Sequence, residues 1–297
     1  MKLENVLAGC IPEPRGRDGL ALAALVREQV HGRLTVAYVQ PPAWSAPGPA
    51  RAEESAWRAY LMEQADATLW QARELAGDDA DYVVHTHKGS GRGLVELARR
   101  RGADVVVIGS AAGGGKGRIT VGSTADQLLH SSSVPVLLAP RGYGDKPPAA
   151  FERLTVAYRR SPGCDAAVKD AAAVAASLDV PLRLVTLVIS NGRRARIEEE
   201  MLVRLRDEAA SNLRAAAHGR PRVEVEVLEG RNVAQALGTT SWLPGEMIIC
   251  ASSATGPLRR VFLGDTSIKI VRAATCPVMI LTRQTQGGEI SRQTLTK

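Results

Sequence analysis

The stretch Val105–Leu129, VVVIGSAAGGGKGRITVGSTADQLL, gathers residues suited to holding a phosphate. An apolar run ends at Gly109, glycines follow at 113, 114 and 115, and Gly122-Ser123-Thr124 opens a helical pattern. Glycine at a strand end lets the backbone approach a ligand with no Cβ in the way. The first N–H groups of a helix lack intrahelical partners and sit at the positive end of its dipole, which favours an anion there. The hydroxyls of Ser123 and Thr124 add donors. The three consecutive glycines can turn their amides inward as a nest, and Lys116 and Arg118 add positive charge.

Other motifs fit their chemistry less well. A Walker A loop needs G-x4-G-K-[ST], but Ser110 stands at the first glycine and Gly117 follows Lys116. Gly89-Ser90-Gly91-Arg92-Gly93 is one residue short of a dinucleotide fingerprint, and reads as a bare turn into a helix that borders the same pocket. Ser161-Pro162-Gly163-Cys164-Asp165-Ala166 is similar to a pyrophosphatase loop, but Pro162 removes a donor and Ala166 replaces the final serine. His85 and His87 alternate on one strand face without visible third and fourth metal ligands. No G-x-S-x-G elbow and no paired nucleophile and base are visible, so the catalytic set is empty. Trp57 and Trp70 lie on a long helical stretch and read as packing groups.

Composition sets the frame. Apolar residues make up 45% of the 297, enough for a packed core without disulfides. The four cysteines, Cys10, Cys164, Cys250 and Cys276, fit neither a zinc pattern nor a disulfide scaffold, which points to a reducing cytoplasm. The N-terminal residues reach Pro12 and Arg15 too soon for a signal peptide, and no apolar run approaches the roughly 18 residues of a membrane span. Residues 1–148 hold 17 Lys+Arg against 16 Asp+Glu, and residues 149–297 hold 21 against 15, so the +7 charge is mostly in the second half. Two phenylalanines and no aromatic-basic interleaving argue against nucleic acid as the partner.

The elements that position these residues come in two sets. Strands are expected near Asn5–Gly9, Arg33–Val39, Tyr82–His87, Asp104–Gly109 and Val134–Ala139, with helices near Arg17–Val30, Ala52–Ala76, Gly91–Arg101 and Ser123–Ser131 between them. The second set has strands near Leu154–Tyr158, Leu182–Ile189, Val223–Leu228, Met247–Ala251 and Val278–Leu281. Its second helix carries Ile197, Met201, Leu205, Ala209 and Leu213 four apart. LTVAY occurs twice, at Leu34 and Leu154, but in the second strand of one set and the first of the other. The true repeat has an offset of 142: Asp104 with Glu246, Ser110 with Ser252, Gly122 with Gly264, Thr124 with Thr266 and Pro135 with Pro277. Alternating βα units predict α/β domains, each a doubly wound five-stranded parallel sheet. Residues 1–142 and 151–284 are the two expected domains, 143–150 the linker and 285–297 a polar, mobile tail. Gly and Pro in the run Pro140–Glu152 speak against regular structure there.

The spacing G-x2-G-x9-G-[ST] before a helix resembles the ATP-binding signature of the universal stress protein family. Gly109 and Gly122-Ser123 are in its register, while Ala112 stands at the middle glycine and Gly113 follows. Val134-Pro135-Val136 and Cys276-Pro277-Val278 also resemble the family. The resemblance covers both halves and implies a Rossmann-like fold, two such domains packed as an internal pseudo-dimer, and ATP or AMP binding in some members. It implies that Gly109, Gly113, Gly122, Ser123 and Thr124, with Ala112 between them, hold ribose and phosphates. Ile11, Val39 and Ile108 would line the base by family position. At the end of the first strand the family usually has Asp, and here that position falls at about Cys10. In the second half Ala251 and Ala254 replace the first two glycines and Asp265 replaces the serine, where it serves its own helix as an N-cap and repels phosphate.

These readings lead to a stress-response regulator that binds an adenine nucleotide, as ATP, ADP or AMP with or without Mg, in the first half. A partner protein would read the bound state, and two chains would pair into a homo-dimer or not. Two alternatives stay open: a binding module without ATP, and a weak nucleotide hydrolase. Arg159, Arg160, Arg259 and Arg260, on loops at the carboxyl edge of the second half, form either a second anionic site or a solvated set.

Overall fold

The computed structural model describes residues 1–12, 16–43, 51–190, 196–220, 222–252 and 264–282. The tail beyond 282 and Arg259 and Arg260 therefore lie outside the described residues. The first half runs β1 (Asn5–Cys10), α1 (Arg17–Val30), β2 (Arg33–Gln40), α2 (Arg51–Ala76), β3 (Asp81–Thr86), α3 (Ser90–Arg101), β4 (Val105–Gly109), α4 (Ser123–Ser131) and β5 (Val136–Ala139). The second runs β6 (Arg153–Ala157), α5 (Pro162–Leu178), β7 (Leu182–Ile189), α6 (Arg196–Ala217), β8 (Val223–Gly230), α7 (Val233–Leu237), β9 (Glu246–Cys250), α8 (Asp265–Ala273) and β10 (Val278–Ile280).

All ten strands form one sheet in the order β3-β2-β1-β4-β5-β10-β9-β6-β7-β8. Each half is a parallel five-stranded block with the same internal order, as the repeat predicts. The blocks join through an antiparallel pair, with Val278 opposite Leu138, Met279 opposite Leu137 and Ile280 opposite Val136. The architecture is α/β with a mixed, mostly parallel sheet. The 142-residue register is visible in detail: Val106 N donates to Pro135 O at 2.9 Å, and Ile248 N to Pro277 O at 2.9 Å. One core packs α1, α2, α5 and α6 on one face of the sheet. The other packs α3, α4, α7 and α8 on the opposite face. The strand centres, such as Val105–Val107 and Met247–Ile249, are buried on both sides, which explains their unbroken apolar runs.

Several expectations need correcting. Trp70 is 64% exposed and Trp57 stacks on Tyr60 at 5.4 Å on the outer face of α2, so neither is a core packing group. On α6, Ala209 and Leu213 are buried but Met201 and Leu205 are exposed, because only the C-terminal half of that stripe faces the sheet. The run after β5 is ordered into a 3₁₀ turn at Tyr143–Asp145. Asp18 of α1 fastens it, accepting from Gly142 N at 2.9 Å and Gly144 N at 2.8 Å. Ser161, from the pyrophosphatase-like loop, caps α5 by accepting from Cys164 N, with Pro162 at the first helical position.

The second half carries a buried ionic cluster at the start of its strands. Glu246 is fully buried and accepts from Arg183 Nη2 at 2.7 Å, Arg153 Nη2 at 2.8 Å and the hydroxyl of Thr155. Arg183 also reaches Glu226 and lies over the Trp242 ring. Burial alone pushes the Glu246 carboxyl up. Hydrogen bonds from Arg153, Thr155 and Leu243 N, with the Arg183 charge, outweigh burial and hold the carboxyl below its ordinary value. Its stabilising contribution is therefore complete above the ordinary value of 4.5 and fades as the pH falls through the lower folded value. Replacing Glu246 with Gln removes the carboxylate that buried Arg183 and half-buried Arg153 share, leaving them the more exposed Glu226 and Glu224, and should cost about 3 kcal/mol near neutral pH. Urea unfolding of both proteins should show that gap at pH 7 and a smaller one near pH 3. A gap that stays constant across the range would refute the assigned charge state.

Candidate functional site

In the order β3-β2-β1-β4-β5 the chain leaves β1 toward β2 on one side and returns to β4 on the other. A crevice opens at such a switch point, beyond the carboxyl ends of the strands. A cavity of about 350 Å³ lies there. Its wall draws on the ends of β1, β2 and β4 and the starts of α3 and α4.

One part of the wall is apolar, with Ile11, Ala37, Val39, Leu94 and Ile108. Small residues keep it open where elements crowd. A Cβ on Gly9 would stand 2.7 Å from Leu94 Cδ1. The strand end itself is held from behind, where Gly19 of α1 packs so closely that a Cβ would stand 2.6 Å from Gly109 N. At the floor, Cys10 pairs in register with Tyr38. Burial pushes the Cys10 thiol up to about 12, and burial likewise raises Tyr38. Both are neutral at physiological pH, so the place where the resemblance implies an Asp carries no charge.

The other part of the wall is polar. Gly109 ends β4, and Ser110, Ala111 and Ala112 continue the wall to Gly122, Ser123 and Thr124 at the start of α4. Gly122 is the N-cap residue of α4 and no side chain caps the helix, so its first-turn N–H groups are left for a ligand. Gly122 is needed there for space, since a Cβ would stand 2.6 Å from Ala111 Cβ. The hydroxyls of Ser90 and Thr124 lie 2.6 Å apart and join the starts of α3 and α4 at the cavity. The Gly89–Gly93 turn therefore borders the pocket, as expected. Its glycines serve packing: a Cβ on Gly91 would stand 2.5 Å from Thr124 O.

The loop between β4 and α4 is closed at its neck. Ala111 N donates to Thr120 O at 3.0 Å, and Ser110 Oγ accepts from Thr120 N at 2.8 Å. Beyond the neck the glycines turn away from the cavity. Gly113, with φ +90°, is absent from the lining residues, and Ala112 is the one on the wall. None of the three glycines expected to form a nest lines the cavity, and the Gly114 carbonyl accepts from the Arg141 guanidinium. The expected phosphate cations are also engaged elsewhere. Lys116 Nζ pairs with Asp145 at 2.7 Å, and Arg118 donates to Ala273 O at the end of α8. No Lys, Arg, His, Asp or Glu is among the described residues lining the cavity.

The structure thus brings Ile11, Val39, Ile108, Gly109, Ala112, Gly122, Ser123 and Thr124 to one cavity, and leaves Gly113 outside it. Sequence reasoning did not assign Cys10, Tyr38, Ser110 or Ala111 a ligand-binding role. The repeat of Ser110 at Ser252 was the available signal for one of them. His85 Nε2 meets Glu96 at 3.2 Å, while His87 Nδ1 bonds within the Gly89 turn. No group of three or more metal-binding side chains occurs among the described residues.

In the second half Ala251 follows β9, and Arg159 and Arg160 follow β6, exposed, with Arg160 bonded to Asn212. Ala254 lies outside the described residues. Gly264, not Asp265, is the N-cap of α8, and Asp265 is the first helical residue with no capping bond of its own. The carboxylate still stands at the positive end of the helix, which favours it there and disfavours phosphate.

A model of the universal stress protein family matches residues 13–140 and again 150–282. A universal stress protein of Mycobacterium tuberculosis is 31% identical to this chain, covering 93% of this chain and 99% of that protein. One from Mycolicibacterium smegmatis is 28% identical over 75% of this chain. Among solved structures, a universal stress protein from Archaeoglobus fulgidus has a TM-score of 0.62 at 18% identity, covering 94% of this chain and 99% of its own. A putative one from Pseudomonas aeruginosa has 0.57 at 14%. With both halves matched and the sheet built twice over, the chain belongs to the universal stress protein family and carries two of its domains in tandem.

Proposed function

We propose that this protein is a stress-response regulator that binds an adenine nucleotide in the cavity of its first half and does no chemistry on it. Family membership supports the stress role. The observation that carries the binding reading is the cavity wall, apolar at Ala37, Val39, Leu94 and Ile108 and polar at the uncapped start of α4. A base suits the first part and a phosphate the second. The case against catalysis is chemical. The titratable groups on the described wall are Cys10 and Tyr38, both held neutral, so neither can take a proton from water near pH 7. A Mg ion would arrive with the phosphates, since no carboxylate lies on the described wall to hold it.

The experiment is to purify the protein without added ligand, identify any nucleotide released on denaturation, and titrate adenine nucleotides by calorimetry. Absence of both a released nucleotide and heat at millimolar ligand would sink the proposal. A variant locates the site. Ser123→Asp transplants the residue that the second half has at Asp265, placing a carboxylate at the start of α4. Repulsion of order 1.4 kcal/mol or more between like charges there should weaken binding about tenfold or more. Gly264→Asp in the second half should leave the affinity unchanged. Equal losses from the two variants would show that the second half contributes a site.

A further inference from the structure

The described sheet has two open edges, β3 and β8, because β5 and β10 already cover each other. An open edge offers a row of backbone groups to another chain. Along β3, His87 N donates to Gln40 O of β2 at 2.9 Å, with Thr86 in register with Gln40. In a parallel pair, alternate residues turn both backbone groups to the same neighbour. Val83, His85 and His87 therefore face β2, and Tyr82, Val84 and Thr86 present their N–H and C=O groups outward. Val84, in the middle of that set, is 43% exposed.

The outward set is complementary to itself. In an antiparallel copy centred on Val84, that residue faces the partner's Val84 and Tyr82 faces the partner's Thr86, each pair exchanging both backbone bonds. The charges match in the same arrangement. The amino end of β3 carries Asp78, Asp79 and Asp81, all exposed, and the carboxyl end has the exposed Lys88 and Arg92 beside His87. Asp78 and Asp81 reach Arg73 and Arg101 at 3.5 Å, in surface pairs that hold them weakly. Antiparallel pairing lays the acidic end of each chain along the basic end of the other. An apolar flank borders the seam: Arg73 lies over the Tyr82 ring, which turns that side of α2 toward β3, and Met62 on the same side is 65% exposed. The β8 edge lacks this match. Leu182 N donates to Arg222 O, so Val225 and Val227 face outward there. A copy centred on Val225 sets Glu224 against the partner's Glu226, and one centred on Val227 lays Arg222 beside the partner's Arg231, like charges in both cases.

We propose that the β3 edge is a docking surface for a second copy of this chain, joined antiparallel about Val84 so that one sheet runs through both chains. The seam is separate from the β5–β10 pairing within the chain and does not depend on what the cavity binds.

The test is sedimentation equilibrium on the full chain and its variants, each checked for folding by circular dichroism. The chain should dimerise at or below about 100 µM at physiological salt, and about 1 M salt should weaken the dimer. Val84→Lys sets two like charges across the axis and should weaken association at least about tenfold. Val84→Pro removes only an outward N–H and should act in the same direction. Val225→Lys, on the β8 edge, should leave the dimer unchanged. Asp81→Lys should weaken it about threefold or more, and adding Lys88→Asp should restore it, a rescue that a folding defect would not show. A monomer at about 100 µM, a dimer indifferent to both Val84 variants, or a dimer lost through Val225→Lys alone overturns the proposal.

Discussion

The antiparallel pairing of β5 with β10 is the constraint on which the rest of the molecule depends. A five-stranded open sheet ends in an edge of unpaired N–H and C=O groups, and an apolar edge is an aggregation hazard. Val136–Ala139 and Val278–Ile280 are fully buried, and each strand closes the other's edge. Because the pair is antiparallel, every strand of one half runs against every strand of the other. The carboxyl edge of the first half therefore lies at the same end as the amino edge of the second. The cavity beyond β1 and β4 faces the same way as the Glu246 cluster, and Arg159 and Arg160 sit at the opposite end. Those arginines cannot join the first cavity in one composite site.

That geometry also explains where Arg118 goes. A helix following a parallel strand runs back toward the amino edge, so α8 delivers its carbonyl end beside the loop of the first half. The guanidinium of Arg118 meets Ala273 O there, at the negative end of the α8 dipole. On the other face of the sheet, Gln29 of α1 accepts from Phe151 N at 2.7 Å and donates to Leu178 O at 3.3 Å. The halves are thus tied above, below and through the sheet. Asp104 and Glu246 show how far they have diverged at one repeat position. Asp104 is half-buried and accepts a backbone bond from Asn5 N at 2.9 Å, while Glu246 is fully buried and anchors Arg183 and the half-buried Arg153.

What was legible in the sequence was what is local or repeated. Val105–Ile108 reads as a doubly buried strand because its apolar run needs no partner to interpret. The helix at Ser123–Ser131 was read from the sequence, and α8 at Asp265–Ala273 is its nine-residue counterpart at the offset of 142. The direction of the seam was not legible, since an apolar strand of four residues pairs either way. The fate of the charges was not legible either. Lys116 meets Asp145, Arg141 meets Gly114, and Arg118 crosses 155 residues to Ala273, so their commitment depends on the fold. Gly113 illustrates the same limit at one residue. Spacing made it the substitute for the missing glycine, yet the turn that needs φ +90° is at Gly113 and the wall is at Ala112.

The glycine loop between β4 and α4 is tethered at three places. Its neck is closed by Ala111 and Thr120, its crest is held by Arg141 and Asp145, and its descending arm is held by Arg118 on the second half. Such pinning preorganises the wall at Ser110–Ala112 before a ligand arrives, which lowers the entropy a ligand must lose on binding. It also sets what a bound ligand can communicate. Any displacement of the loop large enough to be read by a partner must break a contact to α8 or to the turn at Tyr143–Asp145. The second half has lost the glycines of the signature at Ala251 and Ala254, yet it still supplies a wall against which the first half's loop is held.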